Sequence, residues 1–392
     1  MDRVKVGVIG CGNISDLYLT NLTQRYGKEL EVTAVADILP EKAKASAEKF
    51  GIPRHLSAEE LLQDPEIAIV VNLTVPGAHT QVNLDILDAG KHVYCEKPFA
   101  LDLDSAAKVL QKAEEKGLYC ACAPDTFLGA GIQTCRQLLD EGWIGKPLGG
   151  SANFVWPGHE IWHPSPEFYY KYGGGPMMDM GPYYISSLVS ILGPVSKITC
   201  FAKTTTRQRV IHSKPLRGKT MDVEVPTHYC GAMEFVNGTV LSVNFSFDVW
   251  HAHLPDMEIY GTEGSLFCPN PDLFCGPVSV LRKESILDSV ADLDTEDMGS
   301  KGNIFDFSGF VREMPLRHHD PLKKTRGLGI LDLAHAIRSG RAPRISHTFL
   351  YHVLEILLAF EKASSSGSVY KLQSTCDRPA AVPVGLGMDK ID

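Results

Sequence analysis

Four groups of residues in this 392-residue chain have types and spacings that could do chemistry. The first is Gly10-Cys11-Gly12-Asn13-Ile14-Ser15. Its two glycines permit a tight turn and a close approach of backbone to a diphosphate, whose charge is favoured at a helix N-terminus. The third glycine of the usual fingerprint is Ser15 here. An acid, Asp37, follows 27 positions after Gly10, near the ~20 expected of a side chain that accepts hydrogen bonds from ribose hydroxyls. The second group is Glu96-Lys97-Pro98, where a lysine stands at the end of an apolar run and the proline turns the chain away. Thr74-Val75-Pro76-Gly77-Ala78-His79 ends the apolar run before it. The third runs from Gly173 to Tyr184 (GGGPMMDMGPYY) and sets Asp179 and Tyr183 four positions apart, on one face once a helix has begun. The fourth is an aromatic stretch, Phe154, Trp156, Trp162, Phe168, Tyr169, Tyr170 and Tyr172, interleaved with His159 and His163.

The family resemblance set out below implies oxidation of an alcohol, and these residue types suit it. Hydride leaves a carbinol carbon for a nicotinamide, and the hydroxyl proton needs a nearby acceptor. Free Lys and Tyr titrate near ~10, too high for efficient base catalysis at neutral pH. A lysine packed beside a phenol and a positively charged nicotinamide is expected to titrate nearer neutrality. Either residue could take the proton, with Asp179 orienting the lysine or a second hydroxyl.

The elements that must position these groups change character near residue 125. Before it, apolar runs at Lys5–Ile9, Val32–Ala36, Ile67–Leu73, His92–Cys95 and Leu118–Ala123 alternate with helical patterns over 14–26, 40–50, 58–63, 79–88 and 104–116. Ser57 and Glu60 form a capping box, and Gly90 and Gly117 stand just past helix ends. Such alternation predicts an α/β domain with a doubly wound parallel sheet. Beyond it, helices near 130–141 and 181–192 precede strands Val195–Ala202, Thr227–Phe235, Thr239–Asp248, Met257–Gly261 and Gly264–Cys268. Residues 284–325 read as a charged surface excursion, and helices over 327–339 and 348–365 close the pattern. The expectation is a dinucleotide-binding domain over 1–125 and an α+β domain with a mostly antiparallel sheet over 126–392.

Composition narrows the partners. Charged residues are 22% and hydrophobic ones 44%, as in ordinary globular domains, and the formal charge of −9 argues against nucleic acid. No run approaches the ~18 apolar residues of a membrane span. Ten cysteines spread over this length do not suggest a disulfide scaffold. The expectation is a cytoplasmic protein with no membrane and no nucleic-acid partner. His159 and His163 are flanked by Pro157 and Pro164, so no helical metal pair is expected. Cys120 and Cys122 read as strand core, and His318-His319 as solvated.

GCGNIS, Asp37, TVPGAH, EKP, GGGPMMDMGPYY, FVNGTVLSVNFS and IYGTEGSL, in this order, resemble the glucose–fructose oxidoreductase / inositol dehydrogenase / MocA family over nearly the whole chain. The resemblance implies a Rossmann domain followed by an open, mostly antiparallel sheet, NAD(P)-dependent oxidation or reduction of a sugar or polyol, and homo-oligomers formed through that sheet. It places cofactor contacts on Gly10, Gly12, Asn13, Ile14, Asp37, Thr74, Pro76, His79, Glu96 and Lys97, the catalytic lysine at Lys97 and a substrate-facing acid at Asp179. Many members carry histidine where this chain has Tyr183, as the sugar oxidoreductase and dihydrodiol dehydrogenase branches do. With Ser186 where an aspartate is common, a histidine–carboxylate relay has no members at these two positions.

The expected cofactor is NAD, because Asp37 would repel a 2′-phosphate and Ile38 offers no cation to neutralise one. The expected substrate is a sugar or glycoside oxidised at a secondary hydroxyl, with oxidation at C3 of a glycoside among the candidates. Lys97, Asp179 and Tyr183 would do the chemistry. Trp156, His159, Trp162 and His163 would join them in a wall that packs on pyranose C–H faces and hydrogen-bonds hydroxyls. The same aromatics could instead close a core or a subunit interface. Two other functions fit the motifs: a redox-assisted glycoside-cleaving enzyme with tightly held NAD, and a non-catalytic sugar or dinucleotide sensor.

Overall fold

The structure, a computed structural model, describes residues 3–291, 306–318, 324–386 and 390–392. Its first sheet has six parallel strands: β1 (Val4–Ile9), β2 (Leu30–Ala36), β3 (His55–Leu56), β4 (Ile69–Asn72), β5 (His92–Cys95) and β6 (Cys120–Cys122). The order is β3-β2-β1-β4-β5-β6. Val, Ile and Ala side chains fill both faces, so the strands are continuous apolar runs rather than alternating ones. The helices between them are α1 (Ser15–Thr20, prolonged by a π turn over Asn21–Arg25), α2 (Pro40–Phe50), α3 (Ala58–Gln63), α4 (His79–Asp88) and α5 (Leu103–Glu115). Ser57 and Glu60 form the reciprocal cap of α3. Since β1 is flanked by β2 on one side and β4 on the other, the connections leave it in opposite directions. That opens a crevice at the C-terminal ends of β1 and β4.

The second sheet has nine strands in mixed, mostly antiparallel arrangement. Its strands are β7 (Pro147–Val155), β8 (Val195–Lys203), β11 (His228–Phe235), β12 (Val240–Ser246), β13 (Met257–Gly261), β14 (Gly264–Cys268), β15 (Ser279–Arg282), β16 (Arg312–Glu313) and β17 (Tyr370–Lys371). A separate hairpin pairs β9 (Gln208–Val210) with β10 (Thr220–Asp222). The central strand β7 is absent from the sequence expectations, because Pro147, Gly149 and Gly150 are poor strand formers. The structure explains one of them. A Cβ at Gly150 would lie 2.1 Å from the Glu258 carbonyl, so neighbouring backbone excludes a side chain there. β7 pairs in parallel with β12 and antiparallel with β13.

Helices α6 (Ala130–Asp140), α7 (Gly175–Asp179) and α8 (Gly181–Leu192) lead into this sheet; α9 (Lys283–Val290), α10 (Leu328–Ser339) and α11 (His347–Ser366) follow within it and after it. All twelve residues of α8 are buried. Helix α11 packs on β8 and α8 and also meets α5 and β6, so the last helices return to the parallel sheet. Among the described residues no helix is long and apolar enough to cross a membrane.

Candidate active site

The glycine loop sits at the crevice. Gly10 has φ +104°, and a Cβ there would come within 2.6 Å of the Leu73 carbonyl carbon, so glycine lets β1 end against β4. A Cβ on Gly12 would meet nothing within 4 Å, which leaves the space a diphosphate needs. Gly12 and Asn13 are exposed and Ile14 half-buried. Asp37 closes the cradle: its carboxylate accepts from the Cys11 N–H at 2.7 Å and the Leu39 N–H at 2.9 Å. Each oxygen keeps a second lone pair for a ribose hydroxyl. Ile38 beside it is 95% exposed. These residues fit an NAD adenosine-diphosphate half.

The loops after β4 and β5 form the other wall. Thr74 hydrogen-bonds Asn72, and Pro76 opens a short 3-10 turn into α4. His79 is buried, with its ring nitrogens 2.7 Å from the Pro98 carbonyl and 3.0 Å from the Thr74 carbonyl. It ties the two loops together rather than offering a nitrogen to a ligand. Glu96 is buried and accepts from the Tyr18 hydroxyl at 2.8 Å and from the Lys97 N–H at 2.8 Å.

Lys97 leaves β5 toward α7. Its Nζ is 2.6 Å from Asp179 Oδ1 and 2.8 Å from the Asp179 carbonyl. The other carboxylate oxygen, Oδ2, lies 2.8 Å from His159 Nε2. Trp162 donates its indole N–H to His159 Nδ1 at 3.2 Å. An indole can only donate, so Nδ1 is the acceptor and the neutral ring carries its proton on Nε2, facing Asp179. The sequence reading found no histidine for such a pair on α8. The structure supplies one from the segment after β7, twenty positions upstream of Asp179.

Burial disfavours charge on Lys97, but the Asp179 carboxylate outweighs it and holds the lysine above its ordinary value. Burial likewise works against the Asp179 charge, and the Lys97 ammonium and the His159 hydrogen bond overcome it, holding this carboxyl well below the usual range. In the protein alone Asp179 therefore opposes the shift toward neutrality expected of Lys97. Tyr183 is buried at the start of α8, with the Lys97 ammonium 5.4 Å from its ring centroid. Burial pushes its hydroxyl up, and Arg326 and Lys97 only partly offset that.

The aromatic stretch divides. His159 stacks on Tyr169 with centroids 3.8 Å apart, and Trp162, His163 and Phe168 complete a ring cluster around them. His163 accepts from the Ser165 N–H, and burial lowers its pKa. Trp162 is 53% exposed, so its ring borders open space beside Asp179's partner. Trp156 points elsewhere, its indole donating to the Gly158 carbonyl. Phe154 and Tyr170 are packing groups; Tyr170 joins Ile211, Met221, Val223 and Phe247 in a small second core. Glu160, Arg209 and Asp248 form a buried ionic knot that anchors the segment presenting His159.

Two neighbours escaped sequence reasoning. Arg326 Nη2 donates to the Tyr183 hydroxyl at 2.9 Å and to Asp272 Oδ1 at 2.9 Å. A lone arginine at the end of an irregular stretch carries no sequence signal that could have found it. His318, expected to be solvated, is buried because its segment returns to the body of the protein; residue 319 lies outside the described residues. Cys120 and Cys122 are core, as expected.

Comparison with known proteins matches this architecture. The profile described as "Oxidoreductase family, NAD-binding Rossmann fold" covers residues 4–123, and the "GFO/IDH/MocA C-terminal domain" covers 132–267. The inositol 2-dehydrogenase/D-chiro-inositol 3-dehydrogenase of Lactiplantibacillus plantarum is 33% identical over 37% of this chain and 42% of its own. The trans-1,2-dihydrobenzene-1,2-diol dehydrogenase of Mus musculus is 29% identical over 48% of this chain and 56% of its own. The chain thus spans about half the length of these two relatives. The scyllo-inositol 2-dehydrogenase (NAD(+)) of Bacillus subtilis is 24% identical over 94% of this chain and 96% of its own. Among solved structures, levoglucosan dehydrogenase in complex with NADH and L-sorbose superposes with TM-score 0.74 at 19% identity, covering 95% of this chain and 99% of that one. That likeness shows the fold. The chain belongs to the GFO/IDH/MocA oxidoreductase family, and its residues 4–123 are an NAD-binding Rossmann fold.

Proposed function

We propose that this family member is an NAD-dependent oxidoreductase that oxidises a secondary ring hydroxyl of a sugar or glycoside, C3 of a glycoside being one such position. The observation that carries the reading is the line Lys97–Asp179–His159, at 2.6 and 2.8 Å, lying between the dinucleotide crevice and the Trp162–His163–Phe168–Tyr169 ring cluster. Gly10, Gly12, Asn13 and Ile14 would hold the diphosphate and Asp37 the adenosine ribose. Bound NAD would supply the hydride acceptor. Lys97 and Tyr183 face the reacting hydroxyl and hold or receive its proton. Asp179 fixes the lysine, and His159 fixes Asp179. The aromatic cluster supports a pyranose face and excludes water, while the His163 Nε2, left over after its Nδ1 accepts from Ser165, offers a hydrogen bond to a hydroxyl that would otherwise be buried unpaired.

The outward face of the nine-stranded sheet exposes Phe201 (84%), Val240 (48%) and Tyr260 (40%) and supports assembly with a second copy through this face. Substituting Phe201→Glu should then shift the protein to a smaller species in analytical ultracentrifugation.

The reading is tested with free sugars, polyols and glycosides presented together with NAD, following reduced-nicotinamide absorbance. Turnover with a cyclic sugar or glycoside supports it. Turnover confined to open-chain hydroxy acids, or none in the presence of bound NAD, overturns it.

A further inference from the structure

We infer that Arg326 is the positioning residue that makes Tyr183 a proton-donating hydroxyl of the site. The inference rests on the site reading above but can be tested without a substrate. A guanidinium can only donate, so the 2.9 Å bond from Arg326 Nη2 uses the Tyr183 oxygen as an acceptor. The phenolic hydrogen must therefore point away from Arg326, and among the described residues no hydrogen bond from it to a protein acceptor is formed. Arg326 is itself held firmly. Its carbonyl accepts from Asn21 on the helix that follows the glycine loop, and its guanidinium also bonds Asp272. Its side chain is buried, with Cζ 5.2 Å from the Tyr183 ring centroid, opposite in sign to a phenolate and close enough to stabilise one.

The step this geometry serves is a proton transfer. When a substrate carbonyl is reduced, bound NADH would supply the hydride to carbon, and the Tyr183 O–H bond breaks as the substrate O–H forms. The electron pair stays on the phenolate between the Arg326 and Lys97 cations. In oxidation the same phenolate takes the hydroxyl proton back. Asp272 tempers the effect by sharing the Arg326 charge.

Three variants test this: Arg326→Lys, Arg326→Gln and Asp272→Asn. The substrate-free readout is the alkaline midpoint of tyrosinate absorbance assigned by difference from Tyr183→Phe; the second is the pH profile of kcat. Arg326→Gln should raise the Tyr183 midpoint and lower kcat about tenfold or more at neutral pH, with KM for NAD changed less than about threefold. Arg326→Lys should restore most of kcat. Asp272→Asn frees the Arg326 charge and should move the midpoint the opposite way, to lower pH. Should Arg326→Gln fail to fold, the sign of the Asp272→Asn shift decides alone. An unmoved midpoint in the folded variants, or an Asp272→Asn shift to higher pH, overturns the inference. Moved midpoints without turnover on any sugar would keep it and reject the substrate reading instead.

Discussion

The parallel-sheet half and the mixed-sheet half do their work with different parts of the chain. In the first, the cradle is mostly backbone: a positive-φ glycine pressed on Leu73, free space at Gly12, and Asp37 bonded across adjacent strands to the Cys11 N–H at 2.7 Å. In the second, the work falls to side chains brought together over long distances. Lys97 meets Asp179 across 82 positions, and Arg326 meets Tyr183 across 143. A backbone cradle is complete once a strand, a turn and a helix have formed. The Lys97–Asp179 and Tyr183–Arg326 contacts exist only when both sheets, α8 and the returning C-terminal segment are in place.

The largest expected effect tests where Lys97 belongs in this division. Lys97→Met should lower turnover by about 10²-fold or more, the scale for losing a general acid–base group, while NAD affinity measured by fluorescence titration changes only about threefold. If NAD affinity falls in step with turnover, Lys97 is part of the cradle and the division is wrong at this residue. Turnover near wild type would remove it from the chemistry altogether.

The same division explains what could be read from residues alone. The parallel, doubly wound sheet follows from the alternation of apolar runs and helical periods, and of its six strands only the two-residue β3 lacked a signal long enough to see. Glycine loop, acid and lysine are all found at strand ends, where spacing along the chain fixes position. Strand β7 was hidden in part because Gly150 is demanded by the Glu258 backbone of a neighbouring strand, a tertiary constraint that local propensity contradicts. His159 was visible as a residue but not as Asp179's partner, since the segment holding it is shaped by the buried Glu160–Arg209–Asp248 knot. Arg326 could not be chosen from among other charged residues without the fold.

Acid sensitivity should be shared between the halves. His92, on β5, accepts the Tyr119 N–H through Nδ1 at 3.0 Å; His352, on α11, accepts the Val195 N–H through Nε2 at 3.0 Å. His352 is buried and His92 half-buried, and desolvation lowers each to about 4 from the ordinary 6.5. The unfolded chain therefore binds more protons between those values, so stability falls as pH drops from about 6.5 to about 4 and levels off below. Discounted for residual solvent screening, each should cost about 1–2 kcal/mol at pH 5. Urea unfolding of His92→Gln and His352→Gln across this range should give flatter profiles than wild type. A flattening from only one of them would mean that one half alone governs the acid response.

A smaller effect isolates the cradle. Asp37→Ala should weaken NAD by about tenfold, roughly 1.4 kcal/mol, and narrow its advantage over NADP, because the carboxylate both accepts ribose hydroxyls and repels a 2′-phosphate. Steady-state kinetics with both cofactors should show the change in cofactor KM alone. A matching rise in KM for the sugar would indicate that the two halves are more tightly coupled than the geometry indicates.

The smallest expected effect lies at the outer edge of the mixed-sheet region. Trp162 is 53% exposed, with its N–H spent on His159 Nδ1 and its ring against His163. If the ring supports the sugar, Trp162→Ala should raise sugar KM about three- to tenfold with NAD affinity unchanged, since an aromatic contact of this kind is worth about 0.5–1.5 kcal/mol beyond its area. Trp162→Phe keeps a ring and loses only the N–H, so it should recover most of KM. Any remaining fall in kcat would then report the loosened His159–Asp179 contact. The competing role, a subunit contact, predicts a different pattern: ultracentrifugation would show altered assembly in Trp162→Ala, while the folded remainder kept wild-type KM. Exposure alone favours neither role. What favours the sugar is that the same indole is bonded, through one histidine, to the carboxylate that holds Lys97, so its loss is felt at Asp179 before it is felt at any surface.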